Sequence, residues 1–130
     1  MTDRELVEKA FTMLEYSYSP YSHFPVGAAL EGADGSVYTG CNVENAAYGS
    51  CICAERTALV KAVSEGCQSF RRLAVVGNGD DYCWPCGSCR QMLYEFAPEL
   101  EILVARGDHD FVRTTLRELM PHGFGPEALA

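Results

Sequence analysis

The stretch Cys51-Ile-Cys53-Ala-Glu55-Arg56 decides how this chain reads. Two thiols and a carboxylate crowd together just ahead of Ala58, Leu59, Ala62 and Val63, an apolar stripe of helical period. A second cluster, Pro85-Cys86-Gly87-Ser88-Cys89, opens the next helical run, Cys86 to Phe96, which stops at Pro98. Each helical run leads into a short apolar strand, Leu73-Ala-Val-Val76 and Ile102-Leu-Val104. Strands joined through helices favour parallel pairing with right-handed crossovers. Crossover helices of an open α/β sheet begin at the edge where such folds place ligands.

Working outward, Thr2 and Glu5 fit a capping box, and Leu6, Ala10, Phe11 and Leu14 predict an amphipathic helix over 3–17. Val26–Leu30 and Val37–Cys41 read as strands around the turn residues Gly32-Ala33-Asp34-Gly35, hence an antiparallel hairpin. Residues 42–50 form a polar loop. Cys53–Glu65 is the helix that follows, with Gly66 at its C′ position. Phe111–Arg113 is a last short strand, and Thr115 with Glu118 caps a final helix closed by Pro121. The 105–110 connection is too short for a parallel crossover, so the last strand runs antiparallel. The expected fold is α/β: a three-layer α/β/α sandwich with a mixed five-stranded sheet, in one domain spanning 1–130.

Net charge and cysteine content narrow the function. At −8 the chain is a poor match for a nucleic-acid backbone, which is bound chiefly through Lys and Arg. No apolar run approaches the ~18 residues of a membrane span. The polar start, Met1-Thr-Asp-Arg-Glu, carries no signal-peptide core. Seven cysteines in a cytoplasmic chain point to metal or catalysis rather than to disulfides.

Cys53, Cys86 and Cys89 are the expected ligands of one Zn2+ per subunit. Helix N-termini favour thiolate over thiol. The C-x-x-C spacing puts Cys86 and Cys89 on one helical face, and three protein ligands leave the fourth tetrahedral position open. Glu55 stands two residues from a ligand and is the candidate acid/base. Arg56 is placed to hydrogen-bond a ligand sulfur from outside the coordination sphere. A structural four-cysteine site completed by Cys51 or Cys83 is the alternative left by spacing alone.

C-x-E followed by P-C-x-x-C is a form of the established signature of zinc-dependent deaminases. The chain resembles the small zinc-dependent cytidine deaminases along most of its length. The matching stretches are Pro20-Tyr-Ser-His-Phe-Pro-Val-Gly-Ala-Ala-Leu30, Gly40-Cys-Asn-Val-Glu-Asn-Ala-Ala-Tyr48, Cys53-Ala-Glu-Arg-Thr-Ala58, Pro85-Cys-Gly-Ser-Cys-Arg-Gln91 and Phe124-Gly-Pro-Glu127. The resemblance implies a cytidine deaminase-like fold and hydrolytic deamination of cytidine and 2′-deoxycytidine in pyrimidine salvage. It implies that Asn42 and Glu44 hold the ribose, Phe24 packs on the pyrimidine and the Ala54 backbone meets the base. It also implies a homotetramer in which Tyr48 and Phe124 help close a neighbouring subunit's pocket. Its partner is a small nucleoside, with no nucleic acid and no membrane. Tyr82-Cys83-Trp84 before Pro85 departs from the family pattern.

Overall fold

The computed structural model describes residues 1–129. Strands β1 (Val26–Gly32), β2 (Val37–Cys41), β3 (Phe70–Gly77), β4 (Glu101–Ala105) and β5 (Phe111–Thr115) form one sheet in the order β2-β1-β3-β4-β5. The hairpin β1–β2 is antiparallel, as expected, and so are β1–β3 and β4–β5. Among the described residues, only β3–β4 is a parallel neighbour pair. Strands β2 and β3 also run the same way, but β1 lies between them. The first crossover therefore spans two strand positions rather than joining neighbours.

Four helices cover the sheet: α1 (Asp3–Thr12), α2 (Ala54–Ser64), α3 (Gly87–Phe96) and α4 (Leu116–Leu119). Leu6, Val7 and Ala10 of α1 pack with Ala29, Ala74, Val76 and Leu103 on one face. Ala58, Leu59, Leu93 and Leu116 pack with Leu30, Leu73, Val75 and Ile102 on the other. Alternate strand residues thus serve two separate cores, which is why the middle strands are apolar on both faces. The three-layer expectation holds, with α1 alone on one side.

The capping box closes as expected: Thr2 Oγ1 accepts from Glu5 N at 3.1 Å and Glu5 Oε1 from Thr2 N at 2.9 Å. The first helix is shorter than its apolar pattern predicts, because residues 13–16 tighten into a 3-10 turn. Helix α2 lies hard against β2. A Cβ on Gly40 would stand 2.5 Å from Ala54 O and 2.6 Å from Ala58 N, so only glycine permits this approach. That contact seats the start of α2 at the sheet edge where β2 and β3 both end.

Candidate active site

Cys53 and Cys86 occupy the N-cap positions of α2 and α3. Ser, Thr, Asp or Asn usually stands there and caps the first turn. Neither cysteine makes a side-chain capping bond, so neither sulfur is tied to its own helix backbone. Cys89 follows one helical turn after Cys86. Cys53 Sγ lies 3.7 Å from Cys86 Sγ, Cys86 Sγ lies 3.3 Å from Cys89 Sγ, and all three fall within 4.8 Å of one another. Zinc–sulfur bonds of ~2.3 Å in a tetrahedron set sulfurs ~3.8 Å apart. The spacing therefore suits zinc.

Charge points the same way. The Cys89 thiol beside it and the Arg56 guanidinium hold Cys53 down to about 5, against the cost of its burial. Cys89 is pushed up, first by its hydrogen bond to Cys53 and then by burial. Three thiolates this close need a cation between them.

Arg56 Nη2 donates to Cys53 Sγ and to Cys51 O, each at 3.4 Å. Its Nε is buried with no partner among the described residues. The guanidinium thus reaches one sulfur of the cluster. Cys51 and Cys83 stay outside the cluster among the described residues. The Cys51 sulfur accepts from Asn45 N at 3.4 Å, and burial pushes the Cys83 thiol up to about 12, which keeps it neutral. The four-cysteine alternative finds no fourth sulfur. No histidine joins the group among the described residues either.

Glu55, in the first turn of α2, is only 4% exposed. Burial pushes its carboxyl up to about 7. Positive charge among the sulfurs would draw it down again. Glu55, Ala54, Cys53 and Cys86 share one pocket of about 300 Å³ with Phe24, Val26, Asn42, Glu44, Cys83 and Trp84. The Phe24 ring lies over β3: a Cβ on Gly77 would stand 2.9 Å from its Cζ, so a bare backbone makes room for the ring.

The two polar residues after β2 are already heavily engaged. Asn42 Oδ1 accepts from Ser17 Oγ at 2.5 Å and from Val26 N at 2.9 Å, while Nδ2 donates to Phe24 O at 2.9 Å. One side-chain N–H is left to face a ligand. Glu44 accepts from Tyr21 N, Ser22 N and Ser22 Oγ. Both side chains therefore also hold the 17–26 segment in place. Tyr48 stands beside Glu44 and Cys51 at the rim and is 70% exposed. Phe124 lines a different depression with Gln91 and Pro126, away from the sulfurs of its own chain. Sequence reasoning missed Ser22, which carries no distinguishing signal in the sequence beyond a serine's general tendency to bond the backbone two residues on, as its hydroxyl does to Phe24 N. It also missed the apolar wall residues Val26 and Ile52, which nothing in their local pattern sets apart.

An open-sided trio of thiolates with a buried carboxyl beside it, at the helix starts of a mixed sheet, defines a zinc-binding deaminase site. Residues 1–104 match the family model described as the cytidine and deoxycytidylate deaminase zinc-binding region, and the chain belongs to that family. It is 44% identical over 131 aligned positions to a cytidine deaminase of Sporosarcina psychrophila, covering 100% of this chain and 96% of the relative. A cytidine deaminase of Halalkalibacterium halodurans is 44% identical, with 96% of each chain covered. The crystal structure of a cytidine deaminase from Burkholderia pseudomallei superposes with a TM-score of 0.92 at 46% identity, over 95% of this chain and all of the other. That of Mycobacterium tuberculosis gives 0.84 at 38% identity, over 96% and 99%.

Proposed function

We propose that this chain catalyses hydrolytic deamination of cytidine and 2′-deoxycytidine to uridine and 2′-deoxyuridine, with release of ammonia, in pyrimidine salvage. The observation that carries the reading is buried Glu55 in one pocket with two of the three clustered sulfurs. Relatives named cytidine deaminases, matched along nearly their whole length, supply the substrate class.

Cys53, Cys86 and Cys89 hold one zinc ion per subunit. When bound, zinc supplies the Lewis acidity that makes water a usable nucleophile near neutral pH. Glu55 accepts a proton from the attacking water and delivers it to N3 of the base. It then carries the second water proton to the amine that leaves from C4, so water's oxygen replaces nitrogen and ammonia departs. Arg56 steadies the Cys53 sulfur. Phe24 presents its ring face to the base, whose flat edge reaches the Ala54 backbone. Glu44 accepts from a sugar hydroxyl, and the remaining Asn42 N–H donates to a sugar oxygen.

The same reading makes the protein a cytoplasmic homotetramer. Tyr48 and Phe124, exposed in the single chain, each contribute to a neighbour's pocket. The net charge of −8 counts against a nucleic-acid partner. Among the described residues no helix is long and apolar enough to cross a membrane.

The test is the absorbance change as cytidine becomes uridine, with and without a chelator. Chelation abolishes it and added zinc restores it. Glu55→Gln keeps zinc and loses about 10²–10⁴-fold in turnover. Near-normal turnover by Glu55→Gln removes the assignment.

A further inference from the structure

The Glu44 carboxylate accepts from Tyr21 N at 3.0 Å and Ser22 N at 3.1 Å, both through Oε1, and from Ser22 Oγ at 2.5 Å through Oε2. An ionised carboxylate offers about four lone-pair sites, two on each oxygen. Oε1 is filled by the two backbone donors. Oε2 keeps one site, and Glu44 borders the same pocket as Glu55 and the cysteines. The bond from Ser22 decides which way that last site faces. It also favours the ionised form, with Ser22 the main cause of a carboxyl held below its ordinary range.

Ser22 works in a second direction. Its hydroxyl accepts from Phe24 N at 3.2 Å. One exposed hydroxyl therefore joins the acceptor expected to read the sugar to the backbone of the aromatic expected to read the base. The Phe24 carbonyl is tied separately, by Asn42 Nδ2. The ring thus keeps one anchor when Ser22 is lost, whereas Glu44 Oε2 loses its only partner among the described residues.

We propose that Ser22 is a positioning residue: its hydroxyl turns Glu44 so that a single acceptor site on Oε2 meets one hydroxyl of the substrate's sugar. Ser22 itself does not touch the reacting atoms. The inference rests on the deaminase reading and narrows it, because it gives sugar recognition a one-hydroxyl stoichiometry on Glu44 and names the group that enforces it.

The experiment uses the full-length, zinc-loaded protein and its Ser22→Ala and Ser22→Thr variants. Steady-state kinetics are measured with cytidine. The affinity of 2′,3′-dideoxycytidine, which lacks the 2′- and 3′-hydroxyls and keeps the 5′-hydroxyl, is read as competition against cytidine. Ser22→Ala raises KM for cytidine about tenfold and leaves kcat within about twofold. It changes the inhibition constant of the dideoxy compound less than about twofold. Ser22→Thr, which keeps the hydroxyl, returns KM to within about threefold of wild type. An equal weakening of both nucleosides would overturn the proposal, because it marks general loosening of the 20–26 segment. Unchanged binding of cytidine would overturn it too, as would a Thr variant no better than Ala. Wild-type turnover of cytidine answers separately to the proposed function.

Discussion

Cys53 and Cys86 begin two different helices, 33 residues apart in the chain, yet their sulfurs lie 3.7 Å from each other. Two features of the fold bring them there. Strands β2 and β3 point the same way, so the helices that follow them start at one edge of the sheet. Gly40 then lets α2 settle onto β2 closely enough for its first residues to reach α3. The metal site is thus a product of sheet topology and one missing side chain.

The cysteines should separate into two classes. Cys89 is buried within the cluster, whereas Cys51 and Cys83 lie outside it. Cys89→Ser is expected to lower bound zinc well below one equivalent and to abolish turnover. Cys51→Ser and Cys83→Ser each keep one equivalent. Metal analysis after dialysis against a weak chelator reads the difference, and loss of zinc from either outer variant would revive a four-cysteine site.

Helix α2 should be sensitive to a single methyl group on β2. In Gly40→Ala the new Cβ meets two backbone atoms of α2, which cannot rotate aside as a side chain would. Overpacking of this kind costs about 1–3 kcal/mol. The shift also displaces Cys53 and Glu55. A lower Tm together with weaker zinc retention is expected, and an unchanged Tm would show that α2 is not pressed against β2.

Acid stability should depend on Arg72. Its Nε donates to Glu31 Oε1 at 2.8 Å, and its Nη1 donates to Asp3 Oδ1 at 2.7 Å. Glu31 is only 3% exposed, and the bond from Arg72 holds its carboxyl below the ordinary value despite burial. A carboxyl depressed in the folded state stabilises the protein above its unfolded pKa, near 4.5. That contribution is lost as pH falls through the lower folded value. Arg72→Met leaves a buried carboxylate without its partner, and breaking such a pair costs about 3–5 kcal/mol at neutral pH. The gap from wild type in urea unfolding should be widest at pH 7 and narrow below pH 4. A gap that stays constant with pH would remove Glu31 as its source.

Much of this arrangement was legible from residue type and spacing. The hairpin, α2, α3 and the Cys86/Cys89 pair follow from apolar periodicity and C-x-x-C spacing, because both signals are local, whereas Cys53 joins that pair only through the tertiary fold. The insertion of β1 between β2 and β3 is not local, since a crossover that skips a strand has the same sequence pattern as one that does not. The end of α1 was misplaced for a related reason: Met13 and Leu14 continue the apolar stripe while the backbone tightens into a 3-10 turn. Asn42 and Glu44 are set apart from other polar loop residues only by the family resemblance, because their bonds to residues 17–26 depend on tertiary contacts across some 20 positions. Ser22 was hidden by the same distance. The ion pairs of Arg72 with Asp3 and Glu31 likewise join segments that carry no shared motif.

The most direct measurement is X-ray absorption at the zinc edge of the resting protein. Three sulfur neighbours at ~2.3 Å and one oxygen or nitrogen neighbour at ~2.0 Å are expected. A shell of four sulfurs would contradict the open-sided site, because no position would remain for water beside Glu55.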